Sequence, residues 1–252
     1  MAKRGGENPE SVLFSLFLLG LLAARVSFVL MYWSYYSNDW VEMVDLRDGG
    51  FLAWPGIIAL ILGALAYGWR RPALRKPLSA GVITGLLFWG MTSLSLSLYE
   101  KGTRLPDITL RNANGEVVQL ADYQGGPLVI NLWATWCPPC RREMPVLENA
   151  QRMRPDVTFL FVNQAESMQS VSTYLATQGL NLDNVLFDAS GRLGQAVGSM
   201  ALPTTLFYQA DGRLINSHLG ELSQASLARA MEPFDTAPAA TRKPTCQASA
   251  TC

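Results

Sequence analysis

The sequence Trp-Ala-Thr-Trp-Cys-Pro-Pro-Cys at residues 133–140 decides the fold of the second half of this 252-residue chain. It follows an apolar run at 128–132 and precedes a segment, 141–153, that we predict to be helical. Positions i and i+3 of a helix lie on one face, so the sulfurs of Cys137 and Cys140 can meet. Two cysteines with this spacing at a strand-to-helix junction are typical of reversible disulfide chemistry.

The start of the helix indicates which cysteine reacts. Its backbone N–H groups favour negative charge, so we expect Cys137 to be the thiolate and the nucleophile. Cys140, one turn further on, is then the buried resolving thiol. A free thiol has a pKa near ~8.5, and Cys-X-X-Cys motifs can lower it to ~7 or below. Pro138 fits the first helical turn, where its missing N–H costs little, and Pro139 stiffens the loop.

Two other uses of a Cys-X-X-Cys pair stay open at this point. Structural zinc needs four ligands, and the other candidates, His218, Cys246 and Cys252, are far away in the sequence. A purely structural disulfide is the second alternative. We favour the redox pair, and we expect neither a metal nor a cofactor.

Composition divides the chain into two parts. Apolar residues make up 49% of the chain and charged residues 16%. Lys plus Arg and Asp plus Glu are equal at 20 each, so nothing in the charge balance indicates nucleic-acid binding. The apolar excess lies in the first hundred residues, which predicts membrane segments followed by a soluble domain.

Three apolar segments are long enough to cross a bilayer as helices, at about 12–32, 51–69 and 80–99. We prefer an uncleaved first helix to a signal peptide, because the apolar run continues past a poor cleavage site. Arg25 inside this run should face a neighbouring helix or a polar group. Snorkelling toward the interface is the alternative.

Basic residues predict the orientation of these helices. Lys3 and Arg4 precede the first segment and a basic cluster at 70–76 follows the second, whereas acids dominate the loop between them. By the positive-inside rule, everything after Glu100 lies outside. In a bacterial cell that is the periplasm, where disulfides can form.

We therefore expect a multi-pass protein of the bacterial inner membrane with three parts. Residues 1–100 form the membrane anchor and residues 101–234 the periplasmic domain. Residues 235–252 are rich in Ala, Thr and Pro, and we predict a disordered tail. Its Cys246 and Cys252 can pair with each other in an oxidising compartment. Relaying electrons and binding a metal are the alternatives.

The first part resembles a fragment of prolipoprotein diacylglyceryl transferase over about thirty residues. The resemblance is carried by Ala-Arg-Val at 24–26, the aromatic loop at 32–40, Asp-Gly-Gly-Phe at 48–51 and Pro-Gly at 55–56. That family has a histidine just after the double glycine, where this chain has Trp54. The resemblance implies a reused membrane anchor without transferase activity, and contact with lipid or lipoprotein is the alternative.

From Leu105 on, the pattern predicts short strands alternating with helices. Asn-Gly at 114–115 predicts a hairpin turn, and Gly179 suits a helix C-cap. Strands are predicted at 106–110, 116–120, 128–133, 157–162, 186–187, 204–208 and 214–218, and helices at 141–153, 167–178, 193–197 and 222–234. This order predicts an α/β fold with a βαβ unit joined to a ββα unit.

Two motifs together resemble the thioredoxin fold: Cys-Pro-Pro-Cys at 137–140 and Ala-Leu-Pro-Thr-Thr at 201–205. Further motifs make residues 105–234 similar to the TlpA/ResA/CcmG branch of membrane-tethered periplasmic thiol-disulfide oxidoreductases. These motifs are Leu-Pro-Asp at 105–107, Asn-Leu-Trp-Ala-Thr at 131–135 and Arg-Arg-Glu-Met-Pro at 141–145. The resemblance implies a thioredoxin-like domain, a central mixed sheet flanked by helices, preceded by three transmembrane helices.

The resemblance also implies roles for single residues. Pro203 is the expected cis-proline, which faces the cysteines and exposes backbone for pairing with a substrate strand. Glu143 matches an acid near the active site and would take the proton from Cys140, unless it is a solvated helix residue. Asn131 stands where cytoplasmic thioredoxins carry a buried aspartate, which increases the interest of Glu143.

We expect the substrate-facing surface to come from residues around the cysteines. For Trp136 the alternative is core packing. Neither His218 nor Glu166 is assigned a catalytic role, and Glu166 is expected to cap or approach the helix after it. The expected substrate-contacting residues are Trp136, Pro138, Pro139, Leu202 and Pro203.

The expected function is reduction of disulfides in periplasmic proteins, with apocytochrome c and copper-site proteins as candidate substrates. Cys137 attacks, a mixed disulfide forms, and Cys140 releases the product. The expected partners are periplasmic protein thiols and disulfides, a DsbD-type membrane electron donor by family analogy, and the lipid bilayer. A disulfide-donating oxidase and a membrane module that binds lipoproteins or precursors are the alternatives.

Overall fold

The structure, a computed structural model, describes residues 9–36 and 40–236. The chain divides into two compact units, Met1–Ser97 and Leu98–Cys252. The basic residues Lys3 and Arg4 lie outside the described residues, and so does the predicted tail from position 237 onward.

The first unit is helical. Among the described residues, three stretches are long and apolar enough to cross a membrane, by length and composition: Pro9–Met31, Ala53–Arg70 and Pro72–Leu98. The third begins earlier than the sequence predicts, because a short 3₁₀ helix at Pro72–Leu74 leads directly into the last helix. The helices are α1 Pro9–Met31, α2 Trp33–Tyr36, α3 Trp40–Val44, α4 Ala53–Arg70 and α5 Arg75–Gly102.

Helices α1 and α4 approach each other closely at two glycines. A Cβ atom added to Gly56 would lie 2.8 Å from the carbonyl oxygen of Gly20. Small residues at such crossings let two helix backbones come together, as is common between membrane helices.

Arg25 on α1 is buried and fully hydrogen-bonded. Its Nη1 donates to Asp48 Oδ1 and to the Gly50 carbonyl oxygen, both at 2.9 Å. Its remaining N–H groups donate to backbone carbonyl oxygens at positions 42, 43 and 45. Asp48 also accepts a hydrogen bond from the Tyr36 hydroxyl at 3.0 Å. The guanidinium therefore faces polar groups, as expected, and does not snorkel.

The second unit is built on one mixed sheet with the strand order β2-β1-β5-β4-β3-β6-β7. The central strand β3 pairs in parallel with β4 and antiparallel with β6. The strands are β1 Thr109–Asn112, β2 Val117–Gln119, β3 Leu128–Trp133, β4 Thr158–Gln164, β5 Val185–Asp188, β6 Thr204–Tyr208 and β7 Leu214–Leu219. The helices are α6 Pro138–Met153, α7 Met168–Gln178, α8 Arg192–Ala196 and α9 Gln224–Thr236. This arrangement confirms the predicted mixed sheet flanked by helices.

Every residue of β3 is buried, since both faces of the sheet are covered. Val129 and Trp133 belong to one core, together with Cys140 and Leu147 of α6. Leu128, Ile130 and Leu132 point into the core on the other face. This packing fixes the first turn of α6 at the carboxyl end of β3.

Helix α6 begins at Pro138, three residues before the predicted start at Arg141. Cys137 is its N-cap residue, and the two prolines occupy the first turn, where no backbone donor is needed. Helix α7 begins one residue after its predicted start, with Ser167 at its N-cap, and it ends as predicted, with Gly179 in the left-handed region at its C-cap.

Candidate active site

Cys137 and Cys140 form a disulfide across the first turn of α6. The S–S distance is 2.09 Å and the Cα atoms are 5.3 Å apart. The Sγ atom of Cys137 also accepts a hydrogen bond from the Cys140 N–H at 3.3 Å. Cys140 is completely buried, and Cys137 is 3% exposed. Cys137 therefore sits where the helix N-terminus and a backbone donor favour a thiolate.

The peptide bond between Leu202 and Pro203 is cis, as expected from the resemblance. Pro203 directly precedes β6, whose first two residues pair with the end of β3: Thr204 lies opposite Leu132 and Thr205 opposite Asn131. The register therefore places Pro203 at the same end of the sheet as the loop that carries the cysteines.

Glu143 lies one turn after Cys140 and is completely buried, so the solvated-residue alternative is wrong. Its Oε1 accepts a hydrogen bond from Asn131 Nδ2 at 2.8 Å, and its Oε2 accepts one from the Leu222 N–H at 3.0 Å. Burial raises the pKa of Glu143 to about 8, while the two hydrogen bonds act in the opposite direction and the charge of Glu221 adds a smaller increase. A carboxyl group with a pKa near neutral can both accept and return a proton.

Asn131 ties the central strand to two neighbouring elements. Besides Glu143 on α6, its Nδ2 contacts Thr205 Oγ1 on β6 at 2.9 Å. Its Oδ1 is buried and has no hydrogen-bond partner within the part of the chain that the structure describes. The amide thus holds the Glu143 carboxyl group in place from the sheet side.

Glu166 fixes the loop before the cysteines, a role that the sequence did not reveal. Its Oε2 accepts hydrogen bonds from the Thr135 N–H and from Asn163 Nδ2, both at 2.7 Å, and its Oε1 accepts from the Thr135 hydroxyl. The expected capping of α7 belongs to Ser167 instead. Because Thr135 lies two residues before Cys137, this carboxylate orients the active-site loop.

Trp136 is 67% exposed, so the core-packing alternative is wrong. It lines a groove of about 270 Å³ together with Met200, Leu202 and residues around Gly191. Pro138 is exposed, Pro139 is half-buried and Pro203 is buried. Trp136 and Leu202, both expected to contact the substrate, thus meet at one groove.

The other candidate ligands do not form a metal site within the described ranges. There, no three side chains of His, Cys, Asp and Glu come together in a group that could hold a metal ion. His218 is half-buried on β7, and its Nε2 lies 3.2 Å from the Glu221 carbonyl oxygen. Cys246 and Cys252 lie outside those ranges.

Known proteins resemble both parts of the chain. The Redoxin family model matches residues 100–231, and the model for prolipoprotein diacylglyceryl transferase matches residues 1–91. The thiol-disulfide oxidoreductase ResA of Bacillus subtilis is 26% identical over 174 residues, which cover 68% of this chain and 86% of ResA. The thioredoxin-like protein YneN of the same organism is 29% identical over 137 residues, 53% of this chain and 79% of YneN.

Solved structures with similar folds include a thiol:disulfide interchange protein of Chlorobium tepidum. It is 27% identical, has a TM-score of 0.46, and the match covers 52% of this chain and 95% of that protein.

The family matches agree with both resemblances seen in the sequence. The Redoxin match spans just over half of the chain and includes Cys137, Cys140, Glu143 and Pro203. The N-terminal match coincides with the helical unit. The chain therefore belongs to the Redoxin family, and it is a thioredoxin-like thiol-disulfide oxidoreductase.

Proposed function

We propose that the protein is anchored in the bacterial inner membrane and reduces disulfides of periplasmic proteins. The observation that carries this proposal is the Cys137–Cys140 disulfide at the start of α6, with the buried Glu143 one turn away. Cys137 is the attacking thiol, Cys140 is the resolving thiol, and Glu143 accepts the proton of Cys140.

The first step forms a mixed disulfide. In the reduced protein the Cys137 thiolate attacks one sulfur of the substrate disulfide, and the substrate S–S bond breaks. The other substrate sulfur leaves as a thiolate and takes a proton from solvent. The positive end of α6 stabilises the attacking anion. This interaction contributes about 0.3–1 kcal/mol at an exposed position and more at a partly buried one.

The second step releases the substrate. Cys140 gives its proton to Glu143, and its sulfur attacks Cys137 Sγ while the mixed disulfide breaks. The second substrate sulfur leaves as a thiolate and is protonated. Two electrons have then passed from the dithiol to the substrate, and the protein holds the disulfide seen in the structure.

Glu143 suits this step because its pKa of about 8 lies near the working pH. At pH 7 roughly a tenth of the molecules carry the carboxylate, and the protonated form returns its proton easily. Asn131 and Leu222 hold both oxygens in position, so the group does not need to reorganise when it ionises.

The same geometry supports a substrate groove, and family analogy alone supports the partners. Trp136, Leu202 and the exposed Pro138 form the surface that a substrate chain would meet, and the backbone before Pro203 offers strand pairing. Candidate substrates are apocytochrome c and copper-site proteins. A DsbD-type membrane donor would return the two electrons.

We further propose that residues 1–100 form a three-span membrane anchor and residues 101–234 the periplasmic domain. The three apolar helices and the match to a membrane-enzyme family support the anchor. The basic cluster at 70–76 supports an orientation in which the Redoxin unit lies outside.

A stoichiometric reduction assay tests the redox proposal. The reduced full chain in detergent micelles is mixed with a disulfide-bonded peptide, and alkylation with mass spectrometry counts the thiols on both. We expect one peptide disulfide reduced per chain, no reduction by Cys137→Ser, and a trapped mixed disulfide with Cys140→Ser. A Cys246→Ser/Cys252→Ser control should keep full activity. Undiminished reduction by Cys137→Ser would contradict the proposal.

Reporter fusions test the orientation. A periplasm-dependent reporter fused after residue 236 should be active, and the same reporter fused within 70–76 should be inactive. The reverse pattern would overturn the proposed topology without touching the redox chemistry.

A further inference from the structure

The loop between β7 and α9, residues 220–223, contacts two residues of the proposed active site and the arginine that precedes one of them. The Gly220 N–H donates to the Pro203 carbonyl oxygen at 2.9 Å. The Leu222 N–H donates to Glu143 Oε2 at 3.0 Å. Between these two residues, the Glu221 carboxylate forms an ion pair with Arg142. One short segment therefore joins the cis-proline to the acid beside Cys140.

The ion pair is bidentate. Arg142 Nε lies 3.0 and 2.9 Å from the two Glu221 oxygens, and Nη2 lies 2.5 Å from Oε2. Arg142 directly precedes Glu143 in α6, and Glu221 directly precedes Leu222 in the loop. The ion pair and the buried hydrogen bond are thus adjacent ties between the same two backbone segments.

The rest of the loop is held less directly. Gly220 adopts a φ of 108°, a conformation that favours glycine. The Glu221 carbonyl oxygen lies 3.2 Å from His218 Nε2 on β7. An exposed ion pair adds little to the free energy of unfolding. The effect of the Arg142–Glu221 ion pair therefore lies in how it holds the backbone of Leu222, the residue after Glu221.

We propose that the Arg142–Glu221 ion pair is a positioning element that keeps the Leu222 N–H directed at the Glu143 carboxylate. Arg142 and Glu221 act through Glu143 and do not contact the reacting sulfurs. The functional part of this inference rests on the proposed role of Glu143 as proton acceptor for Cys140.

Several charged and titratable groups face Glu143. Cys140 and Arg142 lie on the same helix as Glu143, and Cys137 lies at the start of that helix. Glu221 lies on the β7–α9 loop, and His218 contacts the Glu221 carbonyl oxygen. Asn131 and Thr205 on the sheet side are neutral. The negative charge of Glu221 raises the pKa of Glu143, whereas the Leu222 N–H lowers it. Glu221 therefore has two opposite effects on the pKa of Glu143: its charge raises this pKa, and its positioning of the Leu222 N–H lowers it.

The test follows the Leu222 amide by NMR in the full chain, labelled with ¹⁵N-leucine in detergent micelles. In the wild type this amide should titrate with Glu143, with a midpoint of about 8, and exchange slowly. In Glu221→Gln and Arg142→Gln we expect exchange at least about tenfold faster and a titration amplitude at most about half as large. The swapped pair Arg142→Glu/Glu221→Arg should restore slow exchange.

The control and a second readout separate positioning from general stability. Asp211→Asn breaks an exposed ion pair with Arg213 on the β6–β7 hairpin and should leave the Leu222 amide unchanged. The pH profile of disulfide reduction should change in both single variants and recover in the swapped pair.

Two results would overturn the proposal: an unchanged Leu222 amide in both single variants, or no recovery in the swapped pair. The exchange rate of the Leu132 amide on β3 shows whether a variant keeps the fold. If a single variant also changes the Leu132 amide, the result for the swapped pair decides between positioning and a general loss of structure. The amide readout needs no turnover. A protein that fails to reduce disulfides but shows the expected Leu222 behaviour would therefore refute the proposed function and not the positioning.

Discussion

Replacing Glu143 with glutamine should remove the pH dependence that this buried carboxyl group gives to the stability of the Redoxin unit. Glu143 is completely buried, and burial raises its pKa to about 8. The folded protein therefore holds this proton more tightly than the unfolded chain, where the pKa is near its ordinary value of 4.5. The stabilisation from Glu143 is fully present below about pH 4.5 and is lost as the pH rises through about 8.

The size of the effect follows from the two pKa values. They differ by about 3.5, and at ~1.36 kcal/mol per pH unit the wild type should lose at most about 5 kcal/mol between pH 4 and pH 9. Glutamine does not ionise, but its NH₂ group takes the place of one carboxylate oxygen. It then faces a hydrogen-bond donor, either Asn131 Nδ2 or the Leu222 N–H, and the lost hydrogen bond costs about 1–3 kcal/mol. Asn131 now turns its Nδ2 toward Glu143, and its Oδ1 is buried without a partner among the described residues. A half-turn of the Asn131 side-chain amide would let Oδ1 accept from the glutamine NH₂ group and offset part of the cost.

We therefore expect Glu143→Gln to be about 1–2 kcal/mol less stable than the wild type at pH 5 and about 2–4 kcal/mol more stable at pH 9. Pulse proteolysis of the full chain in micelles, across a urea series at both pH values, measures the free energy of unfolding of the Redoxin unit. Glu148→Gln, on the same helix but half-buried, is the matched control and should follow the wild type. A wild type equally stable at pH 5 and pH 9 would refute the reasoning.

Three further substitutions test other parts of the structure. Asp48→Asn leaves the buried Arg25 without its counter-charge and should destabilise the helical unit by about 3–5 kcal/mol in detergent-induced unfolding. The control Asp45→Asn should cost at most about 1 kcal/mol, because the ion pair between Asp45 and Arg47 is exposed. Glu166→Ala removes the acceptor of the Thr135 N–H and should lower kcat/KM for peptide disulfide reduction about tenfold, which Asp183→Ala should not do. Trp136→Ala should raise KM for protein substrates several-fold while changing the free energy of unfolding by less than about 0.5 kcal/mol, since this side chain is exposed.

The sequence predicts the elements whose signals are local. The apolar run at 128–132 predicted a strand, and the structure covers β3 on both faces. Gly179 predicted the end of α7, which lies where it was expected. Helix α6 begins three residues before the predicted start at Arg141, although Pro138 was already expected to suit a first helical turn.

The contacts around the cysteines were harder to predict because they join residues far apart in the chain. Glu166 reaches Thr135 across 31 positions, and Glu221 reaches Arg142 across 79. Nothing in the local pattern distinguishes these acids from solvated ones. Glu143 was suspected only through family resemblance, since its burial depends on how Leu222 and Asn131 close over it.

In the helical unit, too, the sequence did not identify which residues make contact. An arginine in an apolar run predicts some polar partner. The sequence did not identify which of several nearby acids it would be, and the structure pairs Arg25 with Asp48.

The pH dependence of cysteine alkylation tests the proposed chemistry most directly. The reduced full chain is treated with iodoacetamide at a series of pH values, and mass spectrometry follows each cysteine separately. We predict that Cys137 reacts first, with a midpoint at ~7 or below, and that the buried Cys140 reacts at least about tenfold more slowly. A Cys137 midpoint at the ordinary value of ~8.5, or faster labelling of Cys140, would contradict the assignment of Cys137 as the attacking thiolate.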